Sequence, residues 1–187
     1  MSVSVYDEKL YNFIDTTMIS RKTRRHIINS IKEIINNRAK LQKRYPQQYS
    51  IKVYEDELDR NTWTTFANAI AYKLMRYLVI HIDSMTKYKF KEHRQYNMLS
   101  SIHILSSSAI GYEKHRLYGS DFRLDIFMLL EITHEAITTW DKIYDELYMV
   151  QVTIKGKGYR SRDNDNRLYA QLEEYSIEDI KIKTYNI

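Results

Sequence analysis

The chain has no cysteine, a single proline and four glycines in 187 residues. Without cysteine there is no disulfide, no thiolate-held zinc or iron site and no thiol nucleophile, which fits a reducing interior or a particle that needs no cross-links. With Pro46 alone and few glycines, little of the backbone is forced to turn sharply, which predicts long helices rather than a many-stranded sandwich or barrel. Long apolar runs are missing too. Tyr77 to Ile82 and Ile126 to Leu130 fall far short of a membrane span, and Met1 to Leu10 carries Asp7 and Glu8 with no apolar centre, so neither a membrane helix nor a secretory signal is expected. No Gly-rich phosphate loop, Gly-x-Ser-x-Gly or Walker-type pattern occurs, which leaves nucleophilic and nucleotide hydrolysis without support.

What is present is a globular composition, 43% hydrophobic and 28% charged, in a length that suits one domain or one domain with an appendage. Tyrosine is abundant, at 17 residues. Its flat face and polar tip suit protein interfaces and nucleic acid bases, although an A/T-rich coding sequence also favours Tyr, Ile, Asn and Lys. The charge is uneven. From Ser20 to Pro46 stand nine cations (Arg21, Lys22, Arg24, Arg25, Lys32, Arg38, Lys40, Lys43, Arg44) against one acid, Glu33, and the rest of the chain is slightly acidic. In the same segment Ile27, Ile28, Ile31, Ile34, Ile35 and Leu41 recur at helical spacing, so an oily face and a cationic one are expected on a single helix that Pro46 ends. A concentrated cationic ridge suits a polyanion, because neutralising several phosphates together releases their counterions. The ordinary alternative is a solvated face paired with acids such as Glu55 to Asp59 or Asp141 to Glu146.

Elsewhere, Val5 to Met18 reads as a short amphipathic helix, and Trp63, Phe66, Ile70, Leu74, Leu78, Ile82 and Met85 mark a long one from about Asn61 to Met85. Met98, Ile102, Leu105 and Ala109 predict a third long helix with a serine-rich flank. A fourth is expected from about Ser120 to Leu147. After it the period changes: Val150, Val152 and Ile154 alternate, as do Ile180 and Ile182, and two short strands are expected to pair. The predicted fold is therefore an all-α bundle of four to five helices with a small C-terminal β-hairpin-like appendage, divided into a bundle over 1–148 and an extension over 149–187.

Two further segments, Lys87 to Arg94 and Lys155 to Arg162, interleave cations with aromatics, an arrangement that holds phosphates while bases stack. His81 follows Arg76, and His26 follows Arg21, at the Arg-x4-His spacing of a class of all-helical RNases, but on a helix such residues stand about 140° apart and do not converge on one phosphodiester. Glu131 and His134 resemble half of the signature of ferritin-like di-metal bundles, whose second Glu-x-x-His is absent from this chain. Lys89 to Arg116 and Arg123 to Glu135 resemble small basic four-helix-bundle proteins that accompany reverse transcriptases, a likeness that helical periodicity alone would generate.

The expected function is that of a non-enzymatic nucleic-acid-binding subunit of a larger nucleoprotein assembly, in the cytoplasm or within a virus particle, with DNA or RNA and other protein subunits as partners. The alternatives are a phage or viral assembly protein whose basic face and tail bind other subunits, and an all-helical RNase. Phosphate contacts are assigned to Arg21, Arg24, Arg25, Lys32, Lys40, Lys43 and Arg44, then to Lys89, Lys91, Arg94, Lys157, Arg160 and Arg162. No catalytic residue, metal ligand or cofactor is assigned.

Overall fold

The structure is a computed structural model that describes residues 19–58, 64–89, 98–136 and 142–186. Helix α1 runs Ile19–Arg44, a single turn α2 covers Pro46–Tyr49, strand β1 is Ile51–Tyr54, a 3-10 turn follows at Glu55–Glu57, and helix α3 runs Phe66–Lys89. Four strands complete the chain: β2 (Met98–Arg116), β3 (Gly119–Ala136), β4 (Lys142–Arg162) and β5 (Leu168–Asn186). They form one antiparallel sheet in the order β1-β5-β4-β3-β2, curled into a half-barrel around the helices. The expectation of an all-α bundle is overturned.

The two predicted N-terminal helices survive in α1 and α3, while the expected Val5 to Met18 helix lies outside the described residues. The predicted third and fourth helices are instead β2, β3 and the start of β4. Within β3 the residues Phe122, Leu124, Ile126, Met128, Leu130 and Ile132 alternate and are all buried, as do Tyr148, Val150, Val152 and Ile154 of β4. That is the period of a strand with one face on a core. The pattern is blurred because Phe127 and Leu129, on the other face, are also apolar. In β2 a bulge between Ile104 and Ser106 reverses which parity points inward: Ile102 is buried before it and Ala109 after it. A single extra residue thus turns two short alternations into spacings that mimic a helix. The likeness to reverse-transcriptase-associated bundles falls on these same strands and lapses with the helices.

Val150 does pair with Ile182, and Val152 with Ile180, as the alternation predicts, but β4 and β5 are long strands inside the sheet, not an appendage. The scarcity of glycine and proline misleads because four long strands need few turns. Leu117 and Tyr118 turn β2 into β3 with Gly119 at φ 101°. Asn166 takes φ 61° between β4 and β5, where the Asp163 carboxylate accepts the N–H groups of Asp165 and Arg167, each at 2.9 Å.

Rows such as Ala109, Ile126, Val152 and Ile180 cross four strands and face the helices. Against them α1 buries Ile27, Ile31, Ile34 and Ile35, and α3 buries Phe66, Ile70, Leu74, Leu78 and Ile82. Each such side chain contributes about 1.5–3 kcal/mol on leaving water. The helices also cover sheet edges that would otherwise be open. Gln42 of α1 donates to the carbonyls of Leu172 (2.6 Å) and Glu173 (2.9 Å), where β1 stops pairing with β5. At the opposite edge the Gly111 N–H donates to Asn68 Oδ1 at 2.8 Å, and a β-carbon on Gly111 would lie 2.0 Å from the Ala67 carbonyl oxygen, so only glycine lets α3 sit this close.

Candidate nucleic-acid interface

With its isoleucines against the sheet, α1 turns Arg25, Asn29, Lys32, Asn36, Lys40 and Lys43 outward, all exposed and spaced four, three, four, four and three residues apart. They form one stripe. From Arg25 to Lys43 it extends about 27 Å at 1.5 Å per residue, roughly the reach of eight phosphates along one strand of a duplex. Among the described residues no carboxylate pairs with Arg25, Lys32, Lys40 or Lys43 within 4 Å. Of the acids proposed as neutralising neighbours, Glu57 pairs with Lys73 at 3.1 Å, Asp56 with Arg167 at 2.8 Å, and Glu146 is buried against the Tyr148 hydroxyl, while Asp59 and Asp141 lie outside the described residues.

The remaining cations of the segment have other settings. Arg24 is exposed but donates to Thr184 Oγ1 of β5 at 3.1 Å, and Arg44 lies 5.3 Å from the centre of the Tyr45 ring. Arg38 faces inward, 4.2 Å over the Tyr77 ring, close enough to the buried Tyr175 hydroxyl to oppose the upward push that burial gives it. Arg21 lies on α1, and nothing is described of its side chain.

The second group of expected contacts is dispersed. Lys89 is the last residue of α3, and Lys91 and Arg94 lie outside the described residues. The segment Lys155 to Arg162 is not a loop but the end of β4, whose alternation sends Lys155, Lys157 and Tyr159 to the outer face and Arg160 and Arg162 to the inner one. Only Lys157 of these is exposed and unpaired among the described residues. Arg160 forks onto Glu113 of β2, with Nε donating at 2.9 Å, and lies 5.0 Å from the Phe66 ring. Burial alone would push the Glu113 carboxyl up, yet the Arg160 guanidinium, with Ser120 and His115, holds it below its ordinary value. Arg162 donates to the Asn166 carbonyl at 3.0 Å.

Arg76 and His81 lie on the uninterrupted α3, so they keep the divergence of about 140° expected for that spacing. His81 packs against Tyr77, with ring centroids 4.1 Å apart and planes tilted by 58°. Glu131 and His134 lie on β3 rather than on a helix. Among the described residues no group of three metal-ligating side chains occurs, and no helix is long and apolar enough to cross a membrane.

Comparisons with family models, with curated proteins and with solved structures find no match to this chain. Its chemistry therefore rests on its own residues. Sequence inspection missed Tyr112, Lys114, Arg116 and Arg123, which gather with Lys155 and Lys157 on the outer face of the sheet. They come from three strands, and no linear window contains them together.

Proposed function

We propose that the protein is a non-enzymatic nucleic-acid-binding subunit of a larger nucleoprotein assembly, working in the cytoplasm or inside a virus particle. It holds a phosphate backbone along α1, through Arg25, Lys32, Lys40 and Lys43, with little sequence preference. The observation behind this is the single outward stripe of cations that have no carboxylate partner among the described residues. The asparagines between them, Asn29 and Asn36, add hydrogen-bonding groups without cancelling charge.

The test is binding of labelled single-stranded and duplex oligonucleotides across a salt series. Replacing the four ridge cations by Gln should lower the slope of log affinity against log salt on duplex by about 3 to 4, at about 0.9 per phosphate. An unchanged slope moves the site off α1, and no binding even at low salt overturns the proposal.

A second reading, a phage or viral assembly protein that binds other subunits, draws on the outer face of the sheet. There Leu105, Ile110 and Met149 are exposed. Its measurement is mass in solution: a ring or filament supports it, and a strict monomer at high concentration counts against it.

A further inference from the structure

The outer face of the sheet holds, near its β2–β3 hairpin end, a hollow of about 670 Å3. Its walls carry five cations, Lys114 and Arg116 from β2, Arg123 from β3, and Lys155 and Lys157 from β4, together with Tyr112, which is 55% exposed. Register explains the gathering. Tyr112, Arg123 and Lys155 are cross-strand neighbours, and Lys114, Asp121 and Lys157 form the next row. Phe122, Gly156 and Tyr175 also line the hollow.

Carboxylates engage three of the five cations and leave Lys114 and Lys157 without an ion pair among the described residues. Asp121 is taken by Arg116, and Glu113 is engaged from the inner side by Arg160. Lys155 is shared with Glu178 at 2.6 Å and Arg123 with Asp125 at 3.6 Å. Lys114 and Lys157 have no ion pair among the described residues, although Glu174 also lines the hollow. Just past Arg116, the hairpin tip presents Leu117 (88% exposed) and Tyr118 (95% exposed).

We propose that this hollow is a second nucleic-acid site, specific for single strands. An unpaired base stacks on Tyr112, Tyr118 offers a further ring beyond the rim, and Lys114 and Lys157 hold the flanking phosphates. A duplex keeps its bases stacked inside and cannot offer one to the hollow, whereas a single strand can. The concavity separates this ligand from an anionic membrane surface, since a planar bilayer leaves a hollow empty and a nucleotide fills one of this size. The site deepens the nucleic-acid proposal and adjoins the α1 ridge, because Glu174 and Tyr175 line both the hollow and the cleft beside Lys40 and Lys43.

The experiment compares a short oligothymidylate with a blunt duplex across a salt series, using the full chain. Lys114→Gln combined with Lys157→Gln breaks no ion pair, so the thermal melt should not move, while the salt slope for the single strand should fall by about 1.4, at about 0.7 per phosphate. Tyr112→Ala should weaken the single strand on the order of tenfold, and Tyr112→Phe should keep the affinity because stacking needs the ring and not the hydroxyl. Duplex binding should be unaffected by all three.

Single-strand affinity that is unchanged in both the lysine pair and Tyr112→Ala overturns this site, as does an equal loss on duplex. Vesicles of phosphatidylserine form a control arm. Lipid binding that depends on these residues while oligothymidylate binding does not would make an anionic bilayer the occupant and overturn the proposal. The α1 ridge is tested separately by its Gln variant on duplex. If only that variant matters, the hollow fails and the ridge stands; if only the hollow variants matter, the ridge fails and the hollow stands.

Discussion

The cations of α1 and those at the β4–β5 end of the sheet look alike in sequence and differ in what they have left to offer. On α1 the isoleucines are buried at helical spacing, so Arg25, Lys32, Lys40 and Lys43 all emerge exposed with no carboxylate within 4 Å among the described residues. At the end of β4 the two-residue period divides the charges between faces. Arg160 is bound to Glu113, and Arg167, just before β5, is bound to Asp56 and lies 4.0 Å over the Tyr54 ring. Nearby, Lys52 lies 3.9 Å over the Tyr169 ring. Part of the tyrosine surplus therefore serves as internal partners for cations. A local density of Lys and Arg measures potential for binding a polyanion, and the secondary structure beneath it decides how much of that charge remains available.

The comparison is tested most severely at its foundation. Ile35→Ala removes a fully buried side chain from the docking face of α1 and should cost about 2–5 kcal/mol in denaturant unfolding. A small loss would mean that α1 is not anchored as described. Arg160→Ala should come next, at about 1–3 kcal/mol, because it strands the Glu113 carboxylate, whose side chain is 6% exposed. In a double-mutant cycle, Glu113→Gln should recover part of that loss, and strict additivity would deny the coupling.

The same pair sets a smaller, pH-dependent effect. The Glu113 carboxyl is held below its ordinary value of 4.5, so its contribution is complete above that pH and disappears as pH falls through the lower, folded value. In Arg160→Ala the upward push of burial is less opposed, so the loss of stability that this carboxyl causes on acidification should shrink or reverse, protonation then relieving a buried charge. Chemical unfolding from neutral to acid conditions checks the direction, and an identical profile in both proteins would remove Arg160 as the cause. The smallest effect on stability belongs to the ridge. Arg25→Gln, Lys32→Gln, Lys40→Gln and Lys43→Gln should each change it by no more than about 0.5 kcal/mol, although together they should change nucleic-acid binding most. Thermal melts alongside the salt series expose any variant that violates this inverse relation.

The residue order alone carries the two long helices and the cationic ridge. Amphipathicity along α1 is a property of one segment, and the buried set Ile27, Ile31, Ile34 and Ile35 follows from spacing alone. It also determined that Val150 and Val152 alternate as a strand with Ile182 and Ile180 for company. The other features arise from how distant segments pair and pack. Whether Ile102 and Ala109 belong to a helix or to a strand depends on the bulge at Ile104 and Ser106, which exists only against the paired strand β3. Whether Lys157 and Arg160 share a surface depends on the pleat. The hollow around Tyr112, Lys114, Arg123 and Lys155 depends on register across three strands. A helix makes its hydrogen bonds within itself and so can be read from one stretch of residues, whereas a sheet closes its bonds between segments far apart in the chain, and no window on the sequence contains both partners.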